Sequence, residues 1–116
     1  MNPDDLRSLL PLTPKAFHIL TAFAGEPMNG YQLGLRVEET TNGTIRMSPG
    51  TLYENVHRLA ERGLIQELAD GKGVSADGRG QRFYEITDKG LELLRAEVSR
   101  LAQDVRLARS IPGLVE

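Results

Sequence analysis

Ser48-Pro49-Gly50-Thr51-Leu52-Tyr53, continued by Val56, Leu59 and then Gly63-Leu64-Ile65, is the stretch whose reading decides the fold. Ser48 is a capping hydroxyl, and Pro49 takes the first helical position, where its missing N–H costs nothing. In the helix that follows, Leu52, Val56 and Leu59 share one face. Gly50, Glu54, His57 and Glu61 fall roughly opposite, with Tyr53 and Arg58 on the flanks. Gly63 supplies a C-terminal cap, so the helix runs about four turns. Leu64 to Leu68 and Arg82 to Thr87 are short strand candidates, joined by a loop that holds Gly71, Gly73, Gly78 and Gly80. Glycine at that density suits a hairpin tip rather than a rigid element. Helix, glycine stop, strand, glycine-rich hairpin and strand, in that order, predict the recognition helix and wing of a winged helix-turn-helix. The fold class is therefore mainly α with a small β-hairpin.

Upstream, Thr13-Pro14 repeats the cap-then-proline start, and Ala16, Ile19, Leu20 and Phe23 recur at helical spacing. Gly25-Glu26-Pro27 ends that helix. A further helix is expected from about Gly30 to Thr41, with Tyr31, Leu33, Leu35 and Val37 as its apolar bulk. Thr41-Asn42-Gly43-Thr44 forms the turn into the decisive helix. Residues 1–12 form an N-terminal arm whose Leu9, Leu10 and Leu12 suit docking on this chain or on a partner, or a frayed end. Downstream, Thr87 caps a long helix in which Leu91, Leu94, Val98, Leu101, Val105 and Ala108 recur in alternating steps of three and four. That is a heptad seam, and it predicts dimerisation through a C-terminal helix. Packing on the chain's own core is the rival explanation. Four segments result: the arm at 1–12, a winged unit at 13–87, a dimerisation helix at 88–110 and a tail at 111–116.

The composition narrows the function classes. At 116 residues, 40% hydrophobic and 26% charged, the chain suits one small globular unit. It contains no cysteine, which removes disulfides, thiolate metal sites and a thiol nucleophile. Its two histidines, His18 and His57, lack carboxylates at metal-ligand spacing, so no metal, no cofactor and no catalytic residue is expected. No apolar run approaches the roughly 18 residues of a membrane span, and a cytoplasmic location is the default. The net charge of −2 argues against indiscriminate nucleic-acid binding but leaves room for a local basic patch. The hairpin supplies one in Lys72, Arg79 and Arg82.

An α-helix fits the major groove with its first turns nearest the base edges. Ser48, Pro49 and Thr51 form a small, polar leading end; Tyr53, His57 and Arg58 follow within reach of bases or phosphate. Arg46, just before the cap, is a further phosphate candidate, and Lys72 and Arg79 stand where a wing meets the backbone. The expected partner is double-stranded DNA with a pseudo-palindromic site, read by a homodimer. Competing readings stand beside these. Tyr53 would serve equally as a packing residue, His57 as a solvated one, and Lys72 and Arg79 as solubilising loop charges. Glu54 and Glu61 on the outer face repel phosphate. Together with the acidic pI of about 5.7 they favour the alternative of a winged-helix protein–protein module that binds no DNA. A small-molecule binding protein with a secondary DNA role is a third reading.

Several pieces carry a resemblance. They are Leu12-Thr13-Pro14 with Phe17-His18-Ile19-Leu20, Gly30-Tyr31, Ser48 to Tyr53, Arg58-Leu59 with Gly63-Leu64-Ile65, Arg82-Phe83-Tyr84, and Ile86-Thr87 with Lys89-Gly90. Taken in order over residues 9–110, the chain resembles the PadR family of transcriptional regulators, in its short form with one C-terminal helix. The resemblance implies a homodimer held by N- and C-terminal helices, a recognition helix and basic wing, and repression of a neighbouring gene. It also implies relief by a small lipophilic or aromatic effector bound near the dimer interface. It places DNA reading on Ser48, Pro49, Thr51, Tyr53, His57 and Arg58, with Lys72 and Arg79 in the wing. The chain departs from the commonest family pattern at Glu54, where proline or a small residue frequently follows the tyrosine.

Overall fold

The computed structural model describes residues 6–68 and 82–115. Among the described residues the elements follow in the order α1 (Pro14–Gly25), β1 (Met28–Asn29), α2 (Gly30–Thr40), α3 (Pro49–Glu61), β2 (Ile65–Glu67), β3 (Phe83–Ile86) and α4 (Asp88–Arg109). Each helix begins where a side-chain oxygen takes an otherwise unbonded N–H. Thr13 accepts from Ala16, Ser48 from Thr51, and Thr87 from Gly90. Asn29 and Gln32 form a reciprocal capping box at the start of α2.

The sheet has one more strand than the expected hairpin. β3 is central, with β2 antiparallel on one side and β1 antiparallel on the other, pairing Met28 with Tyr84 and Asn29 with Phe83. Two residues are too few for any alternation to register, which is why β1 is invisible as a pattern. Lys72 and Arg79 lie outside the described residues, as do the hairpin glycines.

The core forms between α1, α2, α3 and the sheet. Ile19, Leu20, Leu33, Val37, Leu64 and Ile65 are essentially inaccessible, and Leu52, Val56 and Leu59 anchor α3 to them. Burying each such side chain is worth about 1.5–3 kcal/mol. The arm docks on this same core: Leu6 is buried, and Leu9, Leu10 and Leu12 pack against it.

α4 is divided. Its first half belongs to the core through Gly90, Leu93, Leu94 and Glu97. Gly90 abuts β2: a Cβ there would lie 2.1 Å from the Leu64 carbonyl oxygen, so only glycine fits. Thr87 donates its hydroxyl to the Gly63 carbonyl at 2.6 Å, and the Lys89 ammonium donates to the Arg62 carbonyl at 2.5 Å. The end of α3 is thereby fastened to the start of α4.

Glu97 is the one acidic side chain among the described residues that is fully withdrawn from water, at 1% exposure. Its carboxylate accepts from Arg100 Nε at 2.6 Å and Nη2 at 3.1 Å, and from the Leu12 backbone N–H at 2.8 Å. The Arg100 hydrogen bonds hold its pKa below the ordinary 4.5, aided by the Leu12 N–H and opposed by burial. This contact joins the arm to α4. A carboxyl with a lowered folded-state pKa stabilises the fold above its ordinary pKa, and that contribution is lost as pH falls through the lowered value. Glu97→Gln is expected to lose about 1–3 kcal/mol in urea unfolding at pH 7. The difference from the parent chain should shrink as unfolding is repeated at progressively lower pH below 4.5.

Candidate nucleic-acid interface

α3 owes its position to its apolar side and its exposure to everything else. Ser48 Oγ accepts from the Thr51 N–H at 3.2 Å and donates to Thr51 Oγ1 at 3.1 Å, so both side chains are committed to the cap. Pro49 has no N–H. The Gly50 N–H is therefore the donor left at the tip of the helix. Gly50 is also open: a Cβ placed there would meet nothing within 4 Å.

Tyr53 projects from the next turn at 66% exposure, and its ring lies 3.8 Å from where a Cβ at Gly30 would sit. His57 Nε2 contacts Glu61 Oε1 one turn on, at 2.5 Å. Glu54 has neither a hydrogen bond nor an ion pair among the described residues. Arg58 diverges from these: with Asn55 and Arg62 it borders a small hollow of about 100 Å³ on the arm side of α3. Arg46 is well exposed before the cap, but its Nε is 3.0 Å from Glu38 Oε1. Arg82 Nε, at the base of β3, is 3.6 Å from Glu67 Oε1. Among the described residues, then, Arg46, His57 and Arg82 each have a carboxylate beside them. At the exposed surface such pairs contribute little to stability and remain open to exchange.

Between α3 and the base of the wing lies a cleft of about 650 Å³. Gly50, Tyr53, Glu54 and His57 form one wall, Arg82 and Tyr84 the other, and the start of α2 at Asn29, Gly30 and Tyr31 closes one end. Tyr31 and Tyr84 were not candidates from the sequence, because only the crossing of α2 and β3 brings them to α3. No group of three or more metal-ligating side chains occurs among the described residues, and no described helix is long and apolar enough to cross a membrane.

The predicted seam of α4 falls on two environments. Leu94 faces the chain's own core, and Leu91, Leu101 and Ala108 are half-buried. Val98 and Val105 stand out at 49% and 50% exposure, and Leu107, Ile111, Leu114 and Val115 extend the exposed apolar surface beyond them.

A buried-backed helix that offers a small polar tip beside the base of a wing defines a winged helix-turn-helix regulator. The sequence of the PadR-like transcriptional regulator family matches residues 19–96. The transcriptional regulator Rv3488 of Mycobacterium tuberculosis is 35% identical over 96 residues, covering 83% of this chain and 80% of that protein. The fold is shared with a PadR-like regulator (BC4206) of Bacillus cereus at TM-score 0.67 and 23% identity, over 92% of this chain and 94% of that one. It is shared too with the PcaV regulator of Streptomyces coelicolor, solved with its natural ligand, at TM-score 0.66 and 24% identity, over 93% of this chain and 71% of that one. The chain belongs to the PadR-like family: it is a transcriptional regulator, not an enzyme.

Gly50→Ala separates stability from contact. The added methyl is expected to raise stability by about 0.5 kcal/mol in thermal unfolding, because it restricts the unfolded chain and meets no neighbour. If the tip must approach a duplex closely, the same variant binds DNA more weakly in a gel shift.

Proposed function

We propose that the chain acts as a cytoplasmic homodimer that binds a pseudo-palindromic DNA site and represses transcription until a small lipophilic or aromatic effector is bound. Residues 13–87 are the DNA-binding unit, 88–110 the dimer helix and 111–116 a tail. The observation that carries this reading is the pairing of an outward-facing α3 tip with unpartnered Val98 and Val105 on the helix fastened to it. Two copies joined along α4 would present two α3 helices to one face of a duplex, roughly one helical turn apart. Ser48, Pro49, Thr51, Tyr53 and His57 are assigned to the groove, with Arg46 and Arg58 at the flanking phosphates and Lys72 and Arg79 in the wing. Ser48 and Thr51 act chiefly through the helix cap that aims the Gly50 N–H. The effector half of the proposal draws on the family resemblance and on the fold shared with a ligand-bound regulator.

Fragments of the source genome selected on the purified protein supply the duplex for the test. Lys72→Ala and Arg79→Ala are each expected to weaken binding alike on all sequences and to flatten the salt dependence by roughly one unit of slope. An unchanged slope in both removes the wing from the interface. Val98→Glu with Val105→Glu leaves the core untouched and should convert the dimer to monomer in sedimentation equilibrium. A dimer that survives places the interface elsewhere.

A further inference from the structure

The cleft beside α3 gathers every tyrosine of the chain, Tyr31, Tyr53 and Tyr84. Its volume of about 650 Å³ lies within the range of small-molecule sites, about 300–1,000 Å³. Gly30 and Gly50 leave room between the rings, and Val56 and Ala60 contribute an apolar floor.

The charges point one way. His57 and Arg82 border the cleft, but Glu61 and Glu67 already sit against them. Glu54 has no partner among the described residues, so among those residues the uncompensated charge at the cleft is negative. Aromatic faces present negative potential to a cation, and a nearby carboxylate adds to it. An anion would meet Glu54 and would have to displace the Glu67 carboxylate from Arg82.

We propose that this cleft binds a lipophilic organic cation, a quaternary ammonium or a planar aromatic cation, and that its occupancy excludes DNA from α3. The second half rests on the DNA-binding reading above. The site shares Gly50, Tyr53 and His57 with the face assigned to the duplex, so cation and duplex compete for one surface. By reciprocity, each weakens the other by the same factor. Glu54 then has a role consistent with its sign: it is unfavourable beside phosphate and favourable beside a cation.

The chain has no tryptophan, so its intrinsic emission comes from these three tyrosines and reports the cleft directly. Titration of the full chain with tetraphenylphosphonium should change that emission saturably, while tetraphenylborate, an anion of matched size and apolarity, should not. Glu54→Gln should weaken the cation by roughly three- to tenfold and strengthen the selected DNA fragment, effects of opposite sign from one uncharged substitution. Tyr53→Leu should weaken the cation without changing thermal stability, since the ring is exposed. In gel shifts the cation should release DNA from the parent chain at lower concentration than from Glu54→Gln. Equal binding of the two ions, or a Glu54→Gln variant that keeps its cation affinity, overturns the site. Simultaneous binding of cation and DNA overturns the exclusion. A chain that binds the cation but no genomic fragment keeps the cleft and removes the DNA reading instead.

Discussion

Gly90 has no side chain because the Leu64 carbonyl oxygen occupies the place that one would take. That approach lets the first turn of α4 lie directly on the start of β2, and two polar contacts close the joint. Thr87 bonds back to Gly63 while capping its own helix, and Lys89 takes the carbonyl of Arg62, the residue that caps the end of α3. The cation at the α3 C-terminus also answers the negative end of that helix dipole. Recognition helix and long helix, though separated in the chain by β2 and β3, are therefore joined where one ends and the other begins.

Glu97 sets the second constraint. A buried carboxylate is costly unless it is paired and hydrogen-bonded. Arg100 supplies two bonds from the next turn, and the remaining one comes from the backbone of Leu12. The arm is thus held by a specific polar contact as well as by its leucines. It stays against α4 while the second half of that helix, carrying Val98 and Val105, remains uncovered.

Much of this was legible in the sequence, for identifiable reasons. Thr13-Pro14, Ser48-Pro49 and Thr87 mark helix starts because capping is a local interaction, decided within four residues. The Leu52, Val56 and Leu59 stripe announces the buried side of α3 because a helix repeats its face. β1 is too short to carry a period, and it forms only because β3 offers it an edge. The pairing of Glu97 was hidden for a different reason. Its position on the Leu93–Leu94 side of α4, with Arg100 three residues on, was a usable signal. A heptad reading absorbed that side into one seam, whereas Leu94 turns inward and Val98 outward. The tyrosine cleft was not legible at all, since Tyr31, Tyr53 and Tyr84 belong to separate elements that only tertiary packing brings together.

The carboxylates beside Arg46, His57 and Arg82 have a consequence for how such a molecule moves among DNA sites. Non-specific attachment to a chromosome depends on cations free to replace the ions around phosphate. Here Arg46, His57 and Arg82 each lie against an exposed carboxylate that is readily exchanged for phosphate. In the proposed regulator, such pairs lower the free positive charge that random sequence can attract, without closing these side chains to a duplex that engages the tip of α3.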